Sequence, residues 1–168
     1  MIRDQTLHER LIPILAEGAE SYLELGVYKG ATISKVQCPK RYGVDKSSFF
    51  RNEQLTYGFF LMTTDNFIKH HAHRFAPFDV VFIDADHSAE ALHADFWGIL
   101  PHVSDDGLIL MHDTNPETLA DTAEGMCGDA WRFVRDLSPF REMVTLNYHP
   151  GLTIFRKRDQ WGPNEPRA

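Results

Sequence analysis

Cysteine is scarce in this sequence: Cys38 and Cys127 are the two such residues in a chain of 168. Their separation suits neither a metal-binding quartet nor a disulfide framework, and both read as buried or idle thiols. Basic clusters are also few, Lys40–Arg41 and Arg156–Lys157–Arg158, on a chain whose formal net charge is −7. No long phosphate-tracking surface results, which argues against nucleic acid as a partner. No apolar run approaches the roughly 20 residues a membrane helix needs, and "MIRDQTLHER" lacks the apolar core of a signal peptide. A soluble, cytoplasmic chain without a membrane partner is the expectation. Internal repeats and low-complexity tracts are missing as well.

What remains is an ordinary globular composition, 43% hydrophobic and 24% charged, which sets aside the disordered and fibrous classes. A chain of this length buries roughly 70% of the surface its unfolded form exposes, enough for a ligand site inside one α/β unit. A single domain over residues 1–158 is expected. It is followed by "DQWGPNEPRA", with two prolines and no periodicity, read as a flexible tail over 159–168.

Periodicity gives the order of elements. From Leu7 to Leu15 apolar residues recur near helical spacing, and Gly18 offers a stop before a first strand, "SYLELG". Gly26 and Gly30 punctuate the chain, "ATISKV" predicts a short helix closed by Pro39, and "RYGVD" predicts a second strand ending at Asp45. "SSFFRNEQ" predicts a brief helix, "YGFFLMTT" a third strand, and "NFIKHHAHRF" a helix with Asp65 as its N-cap. "FDVVFID" is continuously apolar, as in a central parallel strand covered on both faces. Ser88 reads as the N-cap of an amphipathic helix carrying Leu92, Phe96, Ile99, Leu100 and Val103, after which "GLILMHD" repeats the strand design. The stretch from Asn115 to Gly128 reads as a loop able to cover a site, with a helix resuming around "DAWRFVRDL". "REMVTLNY" and "LTIFRKR" flank "HPG" as a β-hairpin.

The fold class expected is α/β: a Rossmann-like, doubly wound, mostly parallel sheet with a C-terminal antiparallel β-hairpin. Such sheets bind ligands outside the carboxyl ends of their strands. Glu24, Gly26, Asp45, Thr64, Asp84, His112 and Asp113 are therefore expected along one rim.

Several of these carry chemistry. In "ELGVYKG", Gly26 lets the backbone approach a ligand closely, and a following helix N-terminus would offer free amides to an anion; a plain strand-to-helix turn is the alternative. Tyr28 stands where a dinucleotide fingerprint has its second glycine, which disfavours a dehydrogenase. Asp45 lies about twenty residues past the turn, where a carboxylate can accept from both ribose hydroxyls. Thr64 and Asp65 either border an adenine ring or cap the next helix. Asp86 shapes a turn, His70, His71 and His73 read as a solvated helix face, and Trp131 and Tyr148 are acceptor-pocket or core aromatics.

In order and spacing, "ELGVYKG", "YGVDKS", "VVFIDADHS" and "GLILMHDT" resemble class I S-adenosylmethionine-dependent methyltransferases. The resemblance is to the small bacterial branch that reads "FIDxDHS" and later "HD", related to macrocin-type and catechol-type O-methyltransferases, and it runs from Leu7 to Arg158. It implies S-adenosylmethionine as cofactor. Glu24 and Gly26, in the turn closed by Gly30, would border the methionine part, Asp45 would hold the ribose, Thr64 and Asp65 would lie by the adenine, and Asp84 beside the methyl-bearing end. It also implies a divalent cation, Mg or Mn, on Asp84 and a later acidic pair, which in this sequence is His112–Asp113. Mg²⁺ prefers an all-oxygen shell, whereas an imidazole suits Mn²⁺, Fe²⁺ or Zn²⁺ better. Without a metal, His87 or His112 would serve as the general base.

The partner implied is a small hydroxylated acceptor, such as a sugar, a polyketide hydroxyl or a phenol, and a homo-oligomer is compatible with the sequence. Two other readings compete. A metal-dependent hydrolase would use Asp84, Asp86, His87, His112 and Asp113 to activate water, leaving the glycine turn and Asp45 without a task. A non-catalytic S-adenosylmethionine-binding module fits the short connections around Ser48.

Overall fold

The computed structural model describes residues 2–48, 57–123, 125–137 and 142–158. Most of the brief helix expected from "SSFFRNEQ", and all of the tail expected over 159–168, lie outside the described residues. In chain order the elements are β1 (Ile2–Arg3), α1 (His8–Leu15), β2 (Ser21–Leu25), β3 (Lys40–Asp45), β4 (Gly58–Leu61) and α2 (Thr64–His70), then β5 (Phe78–Ile83), α3 (Ala89–Ile99) and β6 (Val103–His112). They close with α4 (Ala130–Leu137), β7 (Met143–Leu146), β8 (Tyr148–His149) and β9 (Leu152–Arg156).

The main sheet has the order β4-β3-β2-β5-β6-β9-β7. Pairing is parallel from β4 to β6, while β9 runs antiparallel to both β6 and β7. Strand order reverses between β2 and β5, the switch point at which open α/β sheets bind ligands. The doubly wound sheet and the C-terminal hairpin are thus as the sequence predicts. A separate parallel pair joins β1 to β8 and ties the N-terminal strand to the C-terminal region.

Alternation along β5 shows why both sheet faces are covered. Val81 and Ile83 pack with Phe67 of α2, Phe96 and Ile99 of α3 and Val134 and Leu137 of α4. Val80 and Phe82 turn to the opposite layer, with Ile12 of α1 and Ile33 and Val36 of the 31–36 segment. Each such apolar side chain contributes roughly 1.5–3 kcal/mol by leaving water.

Three expected helical features differ, the first being Val103, which opens β6 after α3 has ended at Ile99. Over "ATISKV" the chain makes turns rather than a helix, with Ser34 N–H donating to Gly30 O at 3.2 Å and Lys35 N–H to Thr32 O at 3.0 Å. Thr32, Ile33 and Val36 are β-branched, which weakens helix propensity, and burial of Ile33 and Val36 at 0% exposure favours a conformation set by packing. The N-cap of α2 is Thr63, whose hydroxyl accepts from Asn66 N–H at 3.3 Å, not Asp65. Asp65 sits inside the first turn and pairs with Lys69 at 2.8 Å. Ser88 does cap α3, accepting from Ala91 N–H at 3.2 Å.

Strand register positions the site. Leu25 pairs with Val44 on one side and Ile83 on the other, and Ile83 pairs with Met111. The next residues out, Gly26, Asp45, Asp84 and His112, therefore leave the sheet at one level.

Candidate functional site

At the switch point two strand exits touch. Gly26 has φ +91, and a Cβ there would lie 2.3 Å from the carbonyl oxygen of Asp84, so only glycine fits. The glycine thus serves the contact between the β2 and β5 exits. Because no helix follows, the helix N-terminus expected beside this turn does not form. Asp45 organises the turn instead: its Oδ2 accepts from Val27 N–H at 3.0 Å and Tyr28 N–H at 2.9 Å. Its Oδ1 accepts from Ser47 N–H at 2.8 Å. A carboxylate offers about four acceptor positions, so beyond these three amides, among the described residues, it keeps acceptor capacity for a ligand hydroxyl.

Above these exits opens a cleft of about 640 Å³, within the roughly 300–1,000 Å³ usual for cofactor and small-molecule sites. Gly26, Tyr28, Asp45, Lys46 and Ser47 line one half, and Asp84, His87, His112, Asp113, Met126 and Cys127 line the other. Other expected rim residues stand apart. Glu24 is 2% exposed and accepts from Tyr22 Oη at 2.6 Å; strand alternation turns it beneath the floor, where burial pushes its carboxyl well above the usual range. Thr64 and Asp65 do not line the cleft, and Gly30 closes the turn by donating to Val27 O at 2.8 Å. Trp131 and Tyr148 do not line it either; Trp131 borders a separate depression beyond Thr114, and Tyr148 is buried.

The second half of the cleft is a compact ionisable cluster. His87 Nε2 lies 3.1 Å from Asp113 Oδ2 and 3.8 Å from Asp84 Oδ1. His112 Nδ1 lies 3.1 Å from Asp84 Oδ1 and 3.4 Å from Asp113 Oδ2. Asp84, His87 and Asp113 each offer a donor atom within 4.8 Å of the others, a set with His87 where His112 was expected. Asp113 has φ +56, a left-handed conformation that Asp tolerates better than most residues and that recurs at functional positions. Asp86 is apart, its Oδ1 accepting from Ser88 N–H at 2.9 Å, a turn role.

Charge explains the division between the histidines. Burial lowers the proton affinity of His112, but Asp84 and Asp113 more than offset it and raise its pKa to about 10. Without a metal, the two carboxylates thus favour a protonated His112, whose single charge offsets part of theirs. Asp113 is held below the usual carboxylate range: burial alone would raise it, and His112, His87 and Cys127 outweigh that effect. Cys127 is buried at 1% exposure and its thiol is pushed up to about 12 by burial and Asp113, the idle thiol expected.

Sequence reading passed over His8. Its ring packs on His112 at 4.1 Å between centroids and stacks on Phe82 at 5.8 Å. Nothing in the α1 pattern distinguishes His8 from an ordinary amphipathic position; its place comes from α1 crossing under β6. Burial, and then the charge of His112, lower its pKa from 6.5 to about 4. Between those values the unfolded chain binds more protons than the folded one, so stability falls as pH falls. The metal-free protein is expected to lose on the order of 2 kcal/mol by this route, and a His8→Phe variant to lose that much less between the same pH limits, as read from urea midpoints. Gln5 and His149 also reach the cleft, brought there by the β1–β8 pairing, with Gln5 Nε2 3.3 Å from His149 Nε2.

A family model described as a methyltransferase domain matches residues 23–114, more than half of the chain. The protein belongs to this methyltransferase family. Its fold is shared by solved structures of low identity. MycE, a methyltransferase of the mycinamycin biosynthetic pathway solved with Mg and SAH, aligns with a TM-score of 0.62 and 21% identity over 95% of this chain and 51% of its own. A putative caffeoyl-CoA O-methyltransferase from Staphylococcus aureus aligns with a TM-score of 0.68 and 16% identity, over 94% of this chain and 85% of its own. Cofactor-bound Rv0187 from MTB gives 0.68 and 14%, over 94% and 83%. The chain spans about half the length of MycE. No curated protein matches it significantly in sequence.

Proposed function

We propose that this methyltransferase moves a methyl group from S-adenosylmethionine to a hydroxyl of a small acceptor. The observation that carries the reading is the joining of two half-sites in one cleft: the Gly26–Asp45 turn with spare acceptor capacity, and the Asp84–His87–Asp113 cluster. S-adenosylmethionine supplies the methyl already activated on a sulfonium. The chain's work is then alignment and exclusion of water. Asp45 would hold a ribose hydroxyl, Asp84 would face the sulfonium end, and the segment from Gly125 to Cys127 roofs the cleft. His87 would take the acceptor's proton at Nε2, close to where Asp113 can stabilise the resulting imidazolium. MycE is solved with Mg, SAH and mycinamycin VI, which supports a metal and a small-molecule acceptor by analogy of fold. In the metal-assisted alternative His87 Nε2 is a ligand and not the base: Asp84, His87 and Asp113 would hold a divalent cation that lowers the acceptor's pKa in its place. An imidazole among the ligands favours Mn²⁺, Fe²⁺ or Zn²⁺ over Mg²⁺.

The test is release of S-adenosylhomocysteine in the presence of sugar, phenol and catechol acceptors. Acceptor-dependent release that is lost in His87→Ala, with cofactor binding intact, is expected. Cofactor binding with neither release on any acceptor nor label transfer from methyl-labelled cofactor into any small molecule of a cell extract would favour the non-catalytic module. In the same assay Mn²⁺ is expected to outcompete Mg²⁺ by at least roughly tenfold in the concentration giving half-maximal rate. Equal potency would remove His87 from the ligand set.

A further inference from the structure

We propose that the peptide carbonyl of Met126 fixes the tautomer of His87, making the 125–130 segment the positioning device for that imidazole; this rests on the reading of His87 as base or ligand. The segment is locked to the His87 peptide from several sides. His87 O accepts from both Asp129 N–H and Ala130 N–H at 3.0 Å, and Asp129 Oδ1 accepts from Ala89 N–H at 2.7 Å. Gly128 has φ +55, and a Cβ there would lie 2.3 Å from His87 O, so glycine is what lets the two backbones meet.

The ring follows from this contact. His87 Nδ1 lies 2.5 Å from Met126 O. A carbonyl oxygen can only accept, so the proton must be on Nδ1. In the neutral ring Nε2 is then bare, and it is Nε2 that faces Asp113 at 3.1 Å and Asp84 at 3.8 Å. A bare nitrogen beside two carboxylates is electrostatically complementary to a cation or an arriving proton. The opposite tautomer would fill that place with an N–H and leave nothing to accept. A ring nitrogen held by a carbonyl to aim the other nitrogen is how imidazoles are commonly set for metal or proton work.

The device is anchored at its far end. Cys127 N–H donates to Asp121 O at 3.0 Å. The Asp121 carboxylate accepts from Thr118 N–H and Oγ1 at 2.8 Å each and from Arg3 at 3.2 and 3.3 Å. The loop that shapes the His87 tautomer is thereby tied to β1.

The experiment is a long-range proton–nitrogen correlation spectrum of the metal-free, cofactor-free protein labelled with ¹⁵N-histidine, at a pH where the ring signals no longer move. The His87 signals are assigned by their absence in His87→Asn. The expected result is a protonated Nδ1 and a bare Nε2; a protonated Nε2 overturns the proposal. Gly128→Ala is expected to return His87 to a mixed or Nε2-protonated state and to lower the transfer rate roughly 10- to 100-fold, with the KM for cofactor nearly unchanged. Met126→Ala, which trims a 42%-exposed side chain but keeps the carbonyl, is expected to leave the Nδ1-protonated tautomer as it is. Should Gly128→Ala fail to fold, the wild-type spectrum still decides. A bare Nε2 with no cofactor binding would end the transferase reading and spare the tautomer; a protonated Nε2 with active transfer would do the reverse.

Discussion

Alanine at Asp45 is expected to lower affinity for S-adenosylhomocysteine about 100-fold, near 3 kcal/mol. Two effects combine. One hydrogen bond from a ligand hydroxyl to a charged acceptor is lost, and the amides of Val27, Tyr28 and Ser47 lose the carboxylate that gathers them. The turn then samples other conformations, so ligand must reorder it on binding. Thermal unfolding reads this directly. At a ligand concentration of about 100 times its Kd, the wild type gains about 2.7 kcal/mol, whereas a variant binding 100-fold more weakly gains about 0.4 kcal/mol. Asp45→Asn, which keeps one acceptor oxygen, is expected to fall between. An Asp45→Ala protein stabilised as much as the wild type would remove Asp45 from the cofactor site.

Asp113→Ala is expected to abolish divalent-ion binding while leaving cofactor binding in place. Its Oδ2 is the nearest carboxylate oxygen to His87 Nε2 and also faces His112 Nδ1. Without it, Asp84 and His87 remain as two donors, too few for a defined site. The loss should exceed the 10- to 100-fold cost typical of removing a residue that merely supports a ligand. Asp45 and the Gly26 turn lie in the other half of the cleft, which is why cofactor binding should survive. The measurement is Mn²⁺ binding by electron paramagnetic resonance, beside calorimetry with S-adenosylhomocysteine. Unchanged Mn²⁺ affinity would place the ion elsewhere, and transfer insensitive to a strong chelator would leave His87 to act as base alone.

The fold was legible because β2, β5 and β6 are near-continuous apolar runs that end abruptly in polar residues. Such a run specifies a strand buried on both faces, and its end specifies the rim. Asp84, His112 and Asp113 were found that way, and Asp45 as the polar end of the shorter β3 run. Sequence reading failed where the outcome depends on packing between distant segments. The 31–36 stretch has turn punctuation on both sides, but Ile33 and Val36 are drawn into the core as turns. Thr63 and Asp65 are both competent caps, and only the backbone exit from β4 selects Thr63. Glu24 is a strand-end acid like Asp45, yet alternation from Tyr22 sends it under the sheet. Gln5 enters the site because β1 pairs with β8 from the other end of the chain, and His8 packs on His112 from α1, contacts without local signature. His87 was visible, but its partner Met126 O is a backbone atom on a loop 39 residues away.

The most direct measurement is a calorimetric titration of the intact chain with S-adenosylhomocysteine. Saturable binding at one site per chain, lost in Asp45→Ala and retained in Asp113→Ala, is the expected result. Absence of binding in the folded wild type would contradict the assignment of the cleft between β2 and β5 to this cofactor, and with it the transferase reading.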